Sequence, residues 1–138
     1  MPNRVSWEPI FSLGNPTLDA QHQGILVQIN ALADCIAAAI ADNTSDSNQR
    51  FDSAFQAHMA TAAEHFAAEE AQLTLCAYPA MEEHHNERDE FNYLTNEIIT
   101  TDNFERAELQ RFLSLWWVGH IVGSGKKYCT ALATLPSV

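Results

Sequence analysis

Five of the six histidines in this 138-residue chain stand at helical spacing from apolar side chains. His22 lies seven residues before Ile29 and fourteen before Ile36. Phe51, Phe55, His58, Ala62, His65, Glu69 and Cys76 follow one another in steps built from three and four. Met81, His84, Arg88, Phe91 and Leu94 do likewise, and Leu113, Trp116 and His120 align further on. Residues so spaced share one face of a helix. A histidine is therefore predicted to point inward from each of four helices, with Glu69 one turn beyond His65. A buried imidazole without a partner costs about 1–3 kcal/mol, and one metal ion, or a pair, would satisfy several together. Mixed imidazole and carboxylate donors suit iron, zinc or manganese rather than calcium. The candidate ligands are His22, His65, Glu69, His84 and His120. His58 precedes His65 by two turns, about 10 Å along the axis, and is expected to be hydrogen-bonded in the core. His85, rotated about 100° from His84, is expected at the surface.

The elements that must position these groups are legible as periodic segments. Asn15-Pro16 opens a first helix, since proline is pre-set for the first helical position. Ile25/Leu26, Ile29, Leu32/Ala33 and Ile36 form its stripe. The run from Asn43 to Ser47 predicts a break, and a second helix then carries Phe51 through Cys76. Tyr78-Pro79 ends it, because the residue before proline is pushed out of the helical region. A third helix is predicted from about Pro79 to Thr100. Asp102 with Glu105 resembles a capping box opening a fourth, which carries Leu109, Phe112/Leu113, Trp116/Trp117 and Ile121 and fades before Pro136. Residues 1–15, with Trp7 and Phe11, read as an arm. The expectation is an all-α single domain over 1–138, with an up-down-up-down antiparallel four-helix bundle over 16–135.

Composition narrows the function. Hydrophobic residues make up 46% and charged residues 18%, which excludes disorder as the main state. Seven Lys plus Arg against 18 Asp plus Glu give a net charge of −11. Such a surface repels phosphate and argues against nucleic acid or an anionic membrane as partner. Cys35, Cys76 and Cys129 are too far apart for a disulfide framework or a thiolate zinc site, and are expected to be small buried hydrophobes. Charges interrupt the apolar stretches before the ~20 residues of a membrane span, and no signal-like apolar segment is readable, so a cytoplasmic location is expected. No nucleophile–base pair is evident, and no enzymatic activity is expected.

Several motifs carry a resemblance. Val5-Ser6-Trp7, Ser12-Leu13-Gly14 and Leu18-Asp19-Ala20-Gln21-His22 come first, followed by His65-Phe66-Ala67-Ala68-Glu69-Glu70 and Tyr78-Pro79. His84 with Glu87 and Phe91, then Trp116/Trp117 with His120-Ile121, complete the series. In this order the chain resembles the hemerythrin family, in particular the bacteriohemerythrins, over almost its whole length. The resemblance implies a pair of oxygen-bridged irons held by five His, one Glu and one Asp. By position His22 and His65 would hold one iron, and His84 and His120 the other, with Glu69 bridging. Two of the seven ligands are replaced: Arg88 stands where the third helix has a second His, and Gly125 where the fourth has the bridging Asp. Arg88 is expected to turn inward, pair with Glu69 or Glu87, and substitute for the second cation. Ser124 and Glu87 are weak candidates for repair.

Reversible O2 carriage in this family requires both irons, so the two losses redirect the expected function. The first expectation is a metal protein, with iron as cofactor at one or two ions per chain. Its altered, one-metal site would bind or sense a small ligand such as O2 or nitric oxide. A weakened two-iron O2-binding centre is the alternative within the same class. A metal-free bundle acting as a partner-binding or regulatory module is the alternative from another class.

Overall fold

Asn15 caps the first helix, its Oδ1 accepting from the Leu18 N–H at 3.1 Å, and Pro16 fills the first helical position. The computed structural model describes residues 3–42 and 45–133, apart from the side chains of Asp42, Ser45, Cys129 and Thr130. Among these, every regular element is helical. A 3-10 turn (Pro9–Phe11) in the arm precedes α1 (Pro16–Asp42), α2 (Ser45–Leu75) and α3 (Met81–Ile99). The fourth rod is α4 (Arg106–Gly119), a π turn (His120–Ser124) and α5 (Gly125–Leu132) in unbroken succession. Each helix packs on its neighbours in sequence and the fourth rod closes onto α1, the up-down-up-down bundle expected from short connections.

Boundaries differ from the sequence reading where local chemistry was misjudged. Ser45 to Ser47 already belong to α2, so the break is confined to the connection beyond Asp42, and 43–44 lie outside the described residues. The second helix ends at Leu75, one residue before Cys76, in a Schellman closure: Tyr78 N–H reaches Leu73 O at 3.0 Å and Ala77 N–H reaches Thr74 O at 3.1 Å. Ala77 holds the left-handed position, φ 54°, usually given to glycine. The capping box does not form. Glu105 is itself the N-cap, in extended conformation without a side-chain bond, and Arg106 at the first helical position clamps Asp52 of α2 at 2.8 and 2.9 Å. The fourth helix runs to Leu132; its expected fading towards Pro136 lies outside the described residues.

The buried stripes meet in two apolar layers. Ile25, Ile29, Phe51, Phe66, Phe91, Leu113, Trp117 and Ile121 belong to the larger. Leu18, Leu73, Tyr128 and Leu132 form the smaller. His22, Glu69, His84 and His120 lie in sequence between members of the two, so a polar layer is enclosed at both ends by hydrocarbon. Contrary to the sequence expectation, α1 is long and apolar enough to cross a membrane, its most apolar 18-residue window having a mean hydropathy of 1.8. Its stripe from Leu18 to Ile36 is buried in the core, whereas Val27 and Ile40 on its other faces are exposed. Cys35 and Cys76 carry free thiols that are half-buried rather than fully buried, and the Cys129 side chain lies outside the described residues.

Candidate metal centre

The π turn decides how the fourth rod meets the others. Widening the helix over His120–Ser124 inserts one extra residue, a local unwinding frequent at functional positions. It leaves His120 3% exposed and aimed at α2. His22 from α1, and His65 and Glu69 one turn apart on α2, are all 0–2% exposed. His84 of α3, 1% exposed, completes the layer.

These groups converge through particular atoms. Nε2 of His65 lies 3.1 Å from Nε2 of His22 and 3.4 Å from Nε2 of His120. Glu69 Oε2 lies 3.3 Å from His65 Nε2, 3.4 Å from His120 Nε2 and 4.0 Å from His22 Nε2. All four candidate donor atoms fall within 4.8 Å of one another. Ligands on one ion at bond lengths near 2.0–2.2 Å stand roughly 2.8–3.6 Å apart, and most of these spacings lie in that range. Glu69 Oε2 is fully buried and has no hydrogen-bond partner of regular geometry, although such atoms are almost always paired in proteins. The donor set fits a transition-metal ion.

Hydrogen bonds at the outer ring edges turn the inner nitrogens toward this point. His65 Nδ1–H donates to Gln21 Oε1 at 2.8 Å, and His120 Nδ1–H donates to Glu87, whose other oxygen accepts from the Ser124 hydroxyl. With Nδ1 protonated, Nε2 is the nitrogen that faces inward, and its lone pair is available to a ligand when the ring is neutral. The ring of Trp116 stacks on His120, with planes 8° apart.

Electrostatics follow burial. Desolvation pushes His22 down to about 3, reinforced by the neighbouring His65 and His120. Burial also lowers His65, against the pull of Glu69. Burial alone would raise Glu69, yet the adjacent imidazoles, His120 foremost, hold it well below the usual carboxylate range. Burial opposes charge on His120 as well, but Glu69 on one side and Glu87 on the other raise it to about 9.

The placement of the candidate residues corrects two sequence expectations. His120 gathers with His22 and His65 at Glu69 Oε2, whereas His84 alone approaches Oε1, at 2.8 Å. The two half-sites are thus unequal, three imidazoles against one, instead of two against two. Arg88 does not enter the core. Its guanidinium bonds Glu70 at 3.2 Å and Asp89 at 3.3 Å, and the side chain is 35% exposed. Sending a guanidinium outward along its flexible stem avoids the desolvation cost of burying it, and Glu70, one residue past the buried Glu69, offers a partner there.

Gly125 is buried, and a Cβ there would stand 3.3 Å from the Leu13 side chain and 3.2 Å from the His120 carbonyl, so the arm fills the space beside it. His58 and His85 behave as expected. Trp117 Nε1–H donates to His58 Nε2 at 3.1 Å and His58 Nδ1–H to Gln28 Oε1 at 3.1 Å, while His85 pairs with Glu70 in a half-exposed position. Gln21 was missed by the sequence reading, although its place beside His22 in the first-helix motif was a usable signal. The anchoring part of Ser124 was missed as well: its place four residues after His120 marked it as a weak candidate ligand, whereas its hydroxyl donates to Glu87.

Comparisons with known proteins agree with this geometry. Residues 13–128 match the family described as "Hemerythrin HHE cation binding domain". Two proteins each called "Hemerythrin-like protein", from Naegleria gruberi and Naegleria fowleri, are 28% identical over 128 residues, covering 93% of this chain and 93% of each relative. No solved structure matches significantly. With helices, ligand-bearing motifs and matched span in agreement, the chain belongs to the hemerythrin family.

Proposed function

We propose that this protein is a non-enzymatic, cytoplasmic iron protein with a one-metal centre, binding or sensing a small diatomic ligand such as O2 or nitric oxide rather than carrying O2. The observation that carries the reading is the unequal division of donors about Glu69. Three imidazole nitrogens gather at Oε2, enough with the carboxylate to hold one ion. A second ion at Oε1 would have His84 as its one imidazole, since Arg88 faces out and Gly125 has no side chain. His22, His65, His120 and Glu69 would hold the ion, and His84, through its 2.8 Å contact, would fix the other carboxylate oxygen. Iron held by imidazole and carboxylate, with coordination positions left open, supplies affinity for diatomic ligands. The apolar layers on both sides keep bulk water from the site.

Metal content per folded chain, measured on protein expressed with iron and without a metal-binding tag, tests this reading. About one ion per chain is expected, falling to near zero in His22→Ala or Glu69→Ala. Two ions would restore the two-iron alternative. None would favour a metal-free bundle whose surface meets a partner.

A further inference from the structure

Glu87 belongs to α3 yet makes its contacts with the π turn of the fourth rod. One carboxylate oxygen accepts from His120 Nδ1 and the other from Ser124 Oγ. It cannot share an ion with His120 Nε2 from this position, because the imidazole ring stands between them. The side chain is 19% exposed, whereas that of His120 is 1% exposed. Water reaches it from an open groove of about 320 Å³ whose wall also includes Glu90, Trp116 and Gly119. A carboxylate placed there keeps its charge more cheaply than one sealed in the core.

We propose that Glu87, anchored by Ser124, is a positioning residue for His120 and supplies the centre's second negative charge from outside the ring, in place of a carboxylate at position 125. The proposal rests on the metal-site reading above. A divalent ion with Glu69 alone leaves a net charge of +1 in a buried layer. Glu87, acting through the Nδ1–H of His120, brings the group to neutrality, and it locks the ring so that Nε2 faces Glu69 Oε2 at 3.4 Å. Position 125 cannot do this: it carries no side chain, and the Leu13 side chain lies 3.3 Å from where a Cβ would stand. The π turn serves both needs, since it carries His120 at its first residue and Ser124 at its last.

The test is cobalt(II) affinity of the full chain, measured by chelator competition, with the visible absorption of the bound ion recorded alongside. Glu87→Gln keeps an acceptor oxygen but loses the charge; about 10–100-fold weaker binding is expected, with unchanged stoichiometry. Glu87→Ala loses orientation as well and should be weaker still, with a shifted cobalt spectrum. Ser124→Ala should weaken binding several-fold. Far-UV circular dichroism checks that each metal-free variant remains folded. If the isosteric Gln variant and Ser124→Ala both bind within twofold of wild type, the proposal is overturned even where Glu87→Ala fails to fold. A wild-type chain that takes up no more cobalt than His22→Ala overturns the metal-site reading, and this proposal with it.

Discussion

At the scale of single residues the deciding feature is how each charge is treated. Glu69 is kept ionised in a buried layer by the imidazoles around it. Arg88, by contrast, is spared burial and spends its charge on Glu70 and Asp89. Exposed pairs of that kind are worth under about 1 kcal/mol. Arg88→Ala should therefore change the melting temperature little and leave metal content unchanged; loss of metal in that variant would mean the guanidinium supports the centre after all. His58 yields a prediction with a definite sign. Burial depresses it from 6.5 to about 4, so the folded state favours the neutral ring that accepts from Trp117 and donates to Gln28. Its contribution is fully present above pH 6.5 and is lost as pH falls through 4. The amount is roughly 3 kcal/mol at about 1.4 kcal/mol per pKa unit. Urea unfolding of the metal-free protein at several pH values, compared with His58→Gln, should show a shallower acid-side loss in the variant. Parallel curves would contradict it.

At the scale of elements, two local conformations carry consequences. Ala77 closes α2 in the left-handed region at φ 54°, where a Cβ is strained and glycine is not. Ala77→Gly should raise stability by about 0.5–1 kcal/mol, measurable as a higher denaturation midpoint with unchanged slope; a lower midpoint would argue that the turn is held another way. The π turn and the arm together govern what position 125 can accept. Restoring a two-iron centre by Arg88→His with Gly125→Asp would crowd the Leu13 side chain, 3.3 Å from the new Cβ. Overpacking of this kind costs about 1–3 kcal/mol. The double variant should therefore be destabilised and take up its second iron poorly, and adding Leu13→Ala should improve both. If the double variant already holds two irons at wild-type stability, the arm is not the obstacle.

At the scale of the whole molecule, a metal that binds the folded chain must stabilise it by linkage. Free metal at 100 times the dissociation constant adds about 2.7 kcal/mol, a rise of order 10 °C in melting temperature for a chain of this size. Calorimetry with and without iron(II) under anaerobic conditions checks this, and an unchanged melting temperature would count against the centre. The net charge of −11 acts in the opposite sense, since self-repulsion of an acidic surface opposes compactness and is relieved by salt.

The sequence by itself determined four amphipathic helices, their order, and five candidate ligands, because periodic burial and motif spacing are local properties that survive without coordinates. His22, His65, Glu69, His84 and His120 all lie in the buried layer, as their places on the apolar stripes require. Local spacing could not say toward which carboxylate oxygen each imidazole turns, nor that Arg88 leaves its stripe for Glu70. Ridge position gives the direction of a Cβ, while the end of a long charged side chain goes where desolvation costs least. The π turn was likewise illegible, since it depends on how the fourth rod fits against α2, α3 and the arm. Only tertiary structure decided that His120 joins His22 and His65 and that Glu87 reaches its outer nitrogen. The His65–His120 and Glu87–His120 contacts join residues 55 and 33 positions apart, and packing between helices sets them, not the pattern along any one.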